Sequence, residues 1–283
     1  MRLLPSIVHP ETRVPLVRRG DAYESATGDV FRDARKDIPC FVPAALETVM
    51  EKERTGLIND LKTLLRRSPL LYRFLIFLIS PVCLTGMSAQ RFLKRYPDNA
   101  ILLNIGSGVH RYRPDLINVD IFPYKDVDVV ADATKLPFAD NSTDGVLCEC
   151  LLEHVPNPEA VVKEIFRVLK PGGCAYILIP FVYPFHASPN DFQRWSIEGL
   201  KVLLKAGEIE SIGTRAGPTS ALTAQLVVWF AIALSFGSET LYSILSVVLH
   251  LVFFPLKFLD LILGYFPTSI HGAADFYAIA KKR

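Results

Sequence analysis

The sequence predicts an α/β fold whose sheet is mostly parallel with one antiparallel strand. Short apolar runs alternate with helical patterns through the middle of the chain, a glycine turn follows the first run, and acidic residues follow the next two. The chain has 283 residues, of which 50% are hydrophobic and 21% charged, enough for one large core and an accessory region. A net charge of +2 gives no electrostatic reason to expect nucleic acid as a partner.

Residues 1–43 are expected to form a small β-rich unit, because short alternating patterns there are interrupted by proline and glycine. Residues 44–95 have a helical pattern and include an apolar segment at 70–84. Fifteen residues are short for a membrane span. We therefore expect a helix that lies in the membrane interface or packs on the neighbouring α/β domain, with a true crossing as the alternative.

Basic residues flank this apolar segment, a pattern typical of a cytoplasmic membrane surface. They are Arg66, Arg67, Arg73, Arg91, Lys94 and Arg95. The five cysteines have neither C-x-x-C spacing nor an even count, which favours a reducing compartment. Cys148 and Cys150 are expected on one side of a strand as buried small side chains, and no metal site is predicted.

Residues 96–217 together with 268–283 are expected to form the main domain. Five strands are predicted at 101–105, 116–121, 127–131, 145–150 and 174–180. Helices are predicted at 158–169, ended by Pro171-Gly172-Gly173, and at 196–206. The first three strands are separated by too few residues for ordinary crossover helices. One sheet face must then be covered by the segment before Pro97 or by the apolar insertion described next.

Residues 218–267 are expected to form an apolar helical hairpin. Two nearly continuous apolar runs, at 221–236 and 241–254, are separated by Gly237-Ser238-Glu239-Thr240. The domain has too little surface to cover so many large apolar side chains, which favours membrane insertion through 221–255. A helical pair buried on the protein or in a dimer is the alternative.

Three potential ligand groups occur in order after successive strands. Gly106-Ser107-Gly108 lets backbone N–H groups approach a ligand, but it lacks the third glycine of the dinucleotide fingerprint. Asp120 ends the second strand, where a carboxylate can accept both hydroxyls of a ribose. Asp132 follows the third strand and is placed to accept from an adenine amine.

Three longer segments, at 132–146, 152–155 and 164–173, carry a specific resemblance to a known family. Together with the glycine turn they resemble a class I S-adenosylmethionine-dependent methyltransferase of type 11, over about half of the chain. The resemblance implies a Rossmann-like sheet and S-adenosyl-L-methionine as cofactor. It assigns cofactor contacts to ten residues: Asn104, Gly106, Ser107, Gly108, Asp120, Ile121, Asp132, Ala133, Cys150 and Leu151.

Within that assignment, the glycine turn lines the methionine and ribose portion, Asp120 takes the ribose and Asp132 the adenine. The segment at 150–152 faces the sulfonium. Asn104 stands where the family usually has an acidic residue, and its amide can hydrogen-bond the cofactor's amino group or the loop. The family also closes its domain with an antiparallel strand, here 274–280, paired with 208–214. The hairpin would then have both ends on one side of a membrane, which favours an interfacial or re-entrant hairpin over two independent spans.

The N-terminal unit resembles the small zinc-ribbon-like domain of the methyltransferase-activator family through short segments at 3–4, 9–12, 15–16 and 37–42. That family carries a C-P-x-C element at the position of His9 to Thr12. Both cysteines are absent from this chain.

The loop after the fifth strand supplies the acceptor-side candidates. It resembles a methyltransferase subgroup with H-x-x-P-x-D-x-x-R-[WYF] after that strand, associated with cell-envelope glycan or natural-product pathways. His186 is the first candidate for a general base because its ordinary pKa lies near neutral pH, and His154 is the second. Asp191 and Arg194 are expected to orient His186, to pair with each other or to bind substrate. The alternative is that these side chains tie the loop to its own backbone.

The leading functional hypothesis is an S-adenosylmethionine-dependent methyltransferase on the cytoplasmic side of a membrane that methylates oxygen or nitrogen of an amphiphilic or glycan/lipid-linked acceptor, so that its partner is a small-molecule or lipid-linked acceptor. A scaffold that binds the same cofactor without turnover is the first alternative. A nicotinamide-dependent oxidoreductase is the second, disfavoured by the missing third glycine and by the lack of a Tyr-x-x-x-Lys pair in the expected region.

Overall fold

The computed structural model describes residues 4–42, 85–186 and 190–283. In these ranges a four-stranded antiparallel sheet precedes a seven-stranded mixed sheet. The first sheet has the order β1-β2-β3-β4, formed by β1 Leu16–Arg19, β2 Ala22–Ser25, β3 Val30–Arg35 and β4 Ile38–Pro39. It agrees with the β-rich unit predicted for residues 1–43.

The second sheet has the order β10-β11-β9-β8-β5-β6-β7. Its strands are β5 Leu102–Ile105, β6 Ile117–Asp120, β7 Val129–Val130, β8 Thr143–Glu149, β9 Leu169–Pro180, β10 Gly207–Ala216 and β11 Asp275–Lys282. Strands β5 to β9 pair in parallel, whereas β11 is antiparallel to both β9 and β10. The predicted α/β class, the mostly parallel sheet and the antiparallel closing strand are confirmed.

The described helices lie around the larger sheet and in the insertion. They are α1 Ala89–Leu93, α2 Pro158–Val168, α3 Ile197–Leu203, α4 Pro218–Ser235, α5 Glu239–Phe253 and α6 Asp260–Leu263. Short 3-10 turns occur at Leu152–His154, Phe254–Leu259 and Pro267–His271. The apolar segment predicted at 70–84 lies outside the described residues.

Helix α2 ends earlier than predicted. Pro171-Gly172-Gly173 does not end it; that tripeptide lies inside β9, which starts at Leu169. Leu169, two residues before the proline, is already extended and paired with Thr143 of β8, so this strand pairing ends the helix. Helix α3 is also shorter than predicted, because Ser196 caps its first turn and the chain turns into β10 at Gly207.

Two cores cover the two faces of the larger sheet. On one face, Ile7, Leu16 and Phe41 of the N-terminal segment join α2 and α3 in a single apolar cluster. On the other face, Phe92 and Leu93 of α1 pack on the sheet. No helix occurs between β5 and β6 in the described chain, as their short connection predicted. The sheet face that such a helix would have covered is covered by α1, in the segment before Pro97.

The apolar insertion is a helical hairpin between β10 and β11, formed mainly by α4 and α5. Asp260 of α6 is fully buried and accepts hydrogen bonds of 2.8 Å from the backbone N–H groups of Thr219 and Ser220. A carboxylate at this position satisfies free donors in the first turn of α4 and complements its dipole. These bonds tie α6 to the first turn of α4 at the base of the hairpin.

Candidate cofactor and acceptor site

The glycine turn lies at the carboxyl end of β5. Gly106 and Gly108 have φ angles of +69° and +54°, conformations that side chains with a Cβ rarely adopt. A Cβ on Gly106 would approach the Leu151 side chain to 2.9 Å, whereas a Cβ on Gly108 would meet nothing within 4 Å. The space above Gly108 is thus open to a ligand, and Leu151 forms a wall beside it.

Asp120 ends β6 directly beside this turn. Its Oδ2 accepts from the backbone N–H of Gly108 at 2.8 Å, and its Oδ1 accepts from Phe122 at 2.9 Å. Burial raises the pKa of Asp120 in spite of these two donors. Each carboxylate oxygen has a second acceptor position, so Asp120 can hold the turn and still accept from a ribose. Ile121 follows it and is half-buried.

Asp132 lies in the loop after β7. Its Oδ1 accepts from both the backbone N–H and the hydroxyl of Thr134, each at 2.8 Å. These bonds fix the side chain in a turn of its own loop. Ala133 is half-buried and Leu136 is fully buried beneath the loop. The loop therefore has the polar and apolar groups expected of an adenine subsite.

Asn104 is 3% exposed and contacts the loop rather than open space. Its Nδ2 donates to Asn118 Oδ1 at 3.2 Å and to the His110 carbonyl at 3.5 Å. The sequence allows two partners for this amide, the cofactor's amino group and the loop. The structure contains the contact with the loop. Asn104 thus links β5 to β6 and supports the connection that follows the glycine turn.

Cys150 lies just beyond β8 with a φ of +48° and is exposed, whereas Cys148 is fully buried. The expectation that both side chains are buried on one side of a strand is wrong, because β8 ends at Glu149 and the backbone turns. Cys150 and Leu151 lie beside the glycine turn through the contact of Leu151 with Gly106.

The residues around the turn fit a nucleoside-type cofactor. Within the described residues, the Ser107 hydroxyl is buried and has no hydrogen-bond partner. An unpaired buried hydroxyl is costly unless a ligand completes it. The open space over Gly108 and the carboxylate of Asp120 lie at the same sheet edge. These groups are the ones that would hold S-adenosylmethionine.

The loop after β9 contains a tight ion pair. Both terminal nitrogens of Arg194 contact the Asp191 carboxylate, one of them at 2.7 Å, and Asp191 also accepts from the His186 backbone N–H at 2.9 Å. The Arg194 guanidinium holds the pKa of Asp191 well below its usual range. The structure therefore brings the three predicted acceptor-side residues together, as an ion pair that also fixes the His186 backbone.

A further cluster was missed by the sequence analysis. Glu153 Oε1 lies 3.7 Å from His154 Nε2 and 4.0 Å from His186 Nε2. The Glu153 side chain is fully buried, and within the described residues neither oxygen has a hydrogen-bond partner. Burial raises the pKa of Glu153 to about 8. The sequence signal that could have identified Glu153 is a carboxylate in a short segment flanked by the apolar residues Leu152 and Val155.

Residues 83–177 match the family described as a methyltransferase domain. The chain is 31% identical over 152 residues to an uncharacterized chloroplastic methyltransferase of Arabidopsis thaliana, spanning 50% of this chain and 42% of that protein. It is 45% identical over 62 residues to the ubiquinone/menaquinone biosynthesis C-methyltransferase of Desulfotalea psychrophila, spanning 20% and 25%. The chain thus matches less than half the length of these curated relatives.

Among solved structures, a SAM-dependent methyltransferase of Thermotoga maritima aligns with a TM-score of 0.45 and 18% identity. The alignment covers 77% of this chain and 98% of that one. The sequence match to the domain family agrees with the strand order and with the position of the glycine turn. The chain therefore contains, at residues 83–177, a segment that belongs to the methyltransferase domain family.

Proposed function

We propose that this protein transfers a methyl group from S-adenosylmethionine to oxygen or nitrogen of an amphiphilic, lipid-linked or glycan-linked acceptor at the cytoplasmic surface of a membrane. The observation that carries the proposal is an exposed apolar hairpin inserted into the sheet that bears the glycine turn. The proposed organisation is a β-rich unit at 1–43, a linker at 44–95, the methyltransferase domain at 96–217 with 268–283, and the hairpin at 218–267.

The hairpin concentrates the exposed apolar surface of the described chain. Of the 25 large hydrophobic side chains exposed in the described ranges, 20 lie between Leu222 and Ile270. Helix α5 has no buried residue, and an 18-residue stretch of the helical segment 239–263 has a mean hydropathy of 2.0. Patches of this size on soluble monomers usually mark an interaction surface. A lipid surface fits a patch made of aliphatic and aromatic side chains with few charges.

The ends of the hairpin set its orientation. Strands β10 and β11 are paired neighbours, so the chain leaves and re-enters the domain at one edge. Helix α4 has 18 residues, of which 44% are buried in the protein, whereas in the most apolar 18-residue stretch of the segment 239–263 only 11% are buried. A hairpin that enters the membrane from one side and returns to it satisfies this geometry. The cofactor site then lies close to the surface from which an amphiphile can be taken.

The relative from Desulfotalea psychrophila is named as a C-methyltransferase of ubiquinone and menaquinone biosynthesis; the quinone pathway in its name supports an amphiphilic acceptor, whereas the choice of oxygen or nitrogen does not rest on that relative. In the proposed reaction the cofactor supplies a methyl group on a sulfonium, an intrinsically good leaving group. The chain's own residues bind and orient: the glycine turn and Asp120 hold the nucleoside. The cluster at the end of β9 lines the acceptor side through His186, Asp191 and Arg194, and positioning of the acceptor contributes most of the rate enhancement.

Vesicle flotation tests the membrane proposal. The double variant Trp229→Gln and Ile232→Gln changes side chains that are 64% and 61% exposed on α4. We expect it to lower binding to phosphatidylcholine/phosphatidylglycerol vesicles at least tenfold. The matched control is Val202→Gln, because Val202 is 66% exposed on α3, outside the hairpin, and should bind as the wild type does. Equal flotation of both variants would contradict the membrane role.

Calorimetry with S-adenosylhomocysteine tests the cofactor site. Asp120→Ala is expected to weaken binding by about tenfold to a hundredfold, since it removes a charge-assisted acceptor. Methyl transfer from labelled cofactor to a membrane lipid extract then separates the enzyme from a scaffold. Binding without transfer to any lipid fraction would favour the scaffold, and no binding would refute both.

A further inference from the structure

We propose that Glu153, His154 and His186 form a binding site for a divalent transition-metal ion. One ligand atom from each residue lies within 4.8 Å of the others. Around a tetrahedral zinc ion, ligand atoms are about 3.4 Å apart for metal–ligand bonds of about 2.0–2.1 Å. Glu153 Oε1 is 3.7 Å from His154 Nε2 and 4.0 Å from His186 Nε2, and the two histidine ligand atoms are within 4.8 Å of each other, so side-chain shifts of about 1 Å or less would bring the three to that geometry.

The carboxylate supplies the first argument for a cation. The Glu153 side chain has no exposed surface and neither oxygen has a hydrogen-bond partner in the described structure. A buried carboxyl group without partners is destabilising unless it is paired or coordinates a metal. The Arg194 guanidinium acts on Glu153 through space, but its terminal nitrogens are bound to Asp191. A bound metal would coordinate the Glu153 oxygens, which no hydrogen-bond donor reaches in the described structure.

The histidine rings are oriented as metal ligands usually are. His154 Nδ1 lies 2.5 Å from the Asn190 carbonyl, and His186 Nδ1 lies 3.0 Å from the Pro184 carbonyl. A carbonyl accepts from a protonated Nδ1, which leaves the lone pair on Nε2, and this pattern is typical of metal-bound histidine. In both rings Nε2 is the atom directed at Glu153.

Arg194 offers His186 an alternative partner, since its Nη2 lies 3.2 Å from His186 Nδ1. That nitrogen also donates to Asp191 at 2.7 Å and to the Pro184 carbonyl at 3.2 Å. Without the histidine contact, the terminal nitrogens of Arg194 keep their bonds to Asp191 and to the Pro184 carbonyl. The tautomer that binds a metal is therefore compatible with these contacts.

The ligand set selects the ion class. Two imidazoles and one carboxylate suit Zn²⁺ or Fe²⁺, and three protein ligands leave open positions for small molecules. Glu153 and His154 lie in the turn that follows Cys150 and Leu151, at the end of β8 beside the glycine turn. The open positions would bind an oxygen of the acceptor. This second role rests on the proposed function, whereas metal binding itself does not.

Titration of the untagged full-length chain with Zn²⁺ tests the site, with Co²⁺ absorption bands as a second readout of ligand geometry. We expect one ion per chain and at least tenfold weaker binding in Glu153→Gln and in His154→Gln. His271→Gln is the matched control, because His271 is an exposed histidine outside the cluster and should leave the affinity unchanged. Near-ultraviolet circular dichroism of each variant verifies that the fold is retained.

Unchanged zinc affinity in folded Glu153→Gln would overturn the proposal, as would a loss of affinity in His271→Gln equal to that in the cluster variants. S-adenosylhomocysteine binding, measured on the same samples, distinguishes the two proposals. Zinc binding without cofactor binding would leave the metal site standing and refute the proposed function. If the chain bound no zinc, and cofactor binding and methyl transfer were insensitive to chelators, the metal site would be refuted and the proposed function would stand. His186 would then be assigned to proton transfer.

Discussion

Glu164 of α2 connects three parts of the molecule, and its replacement by glutamine gives a measurable prediction. Its two oxygens accept four hydrogen bonds of 2.8–3.0 Å, from the backbone of Leu136 and from the guanidinium groups of Arg13 and Arg167. The Glu164 side chain is 6% exposed. Glutamine keeps the shape but presents one amide N–H₂ group to donors and removes the negative charge between two arginines.

Breaking a buried ion pair by removing one partner costs about 3–5 kcal/mol. We reduce this value because Arg13 is 34% exposed and Arg167 retains Asp140 and two carbonyls. We expect a loss of about 2–3 kcal/mol for Glu164→Gln. In a chain of this size the melting temperature should then fall by about 5–8 °C.

Differential scanning fluorimetry and urea unfolding at neutral pH measure this change. The matched control is Glu159→Gln, which makes the same replacement at an exposed position in the first turn of α2, removes only its interaction with the helix dipole and should shift the melting temperature by less than about 3 °C. If the two variants melted within 1 °C of each other, the reasoning about this buried network would be refuted. Retention of S-adenosylhomocysteine binding in both would show that the loss concerns stability alone.

Three further predictions concern other positions. Gly106→Ala should lower the free energy of unfolding by about 1–2 kcal/mol, because alanine disfavours the left-handed φ. It should also weaken S-adenosylhomocysteine binding, measured by calorimetry, because the added Cβ would meet Leu151. Equal affinity would contradict the tight turn. Asp260→Ala should speed hydrogen exchange of the first turn of α4 at least tenfold, since it removes two buried acceptors; unchanged exchange would contradict the cap. Burial raises the pKa of Asp275 to about 7, so the folded protein holds this proton more tightly than the unfolded chain does. Its contribution to the free energy of unfolding should therefore fall by up to about 4 kcal/mol as the pH rises from 4 to 7. Asp275→Asn should flatten this slope in urea unfolding, and an unchanged slope would contradict the reasoning.

The strand order and the glycine turn were predictable because each depends on local signals. Apolar runs ending in Gly106 or Asp120 identify parallel strands and the edge at which their carboxyl ends meet. The end of α2 was less predictable, because the pairing of Leu169 with Thr143 is a long-range contact that overrides the helical pattern. Cys150 was misplaced for a similar reason, since alternation along a strand cannot show where the strand stops.

The acceptor-side cluster shows the limit more clearly. His186 was found from its motif, but Glu153 and His154 are more than thirty residues earlier in the chain and reach His186 only through the pairing of β8 with β9. A single sequence does not reveal that a carboxylate is buried without partners, because this depends on the packing of distant segments.

The position of β11 has a consequence for synthesis of the protein. This strand lies between β9 and β10, yet it is translated after the whole hairpin. The sheet cannot close until β11 has emerged from the ribosome, so the apolar helices are exposed while β9 and β10 are still separated. Early capture of the hairpin by a bilayer or a chaperone would protect this intermediate from aggregation. Membrane contact would then act during biogenesis, before any substrate is met.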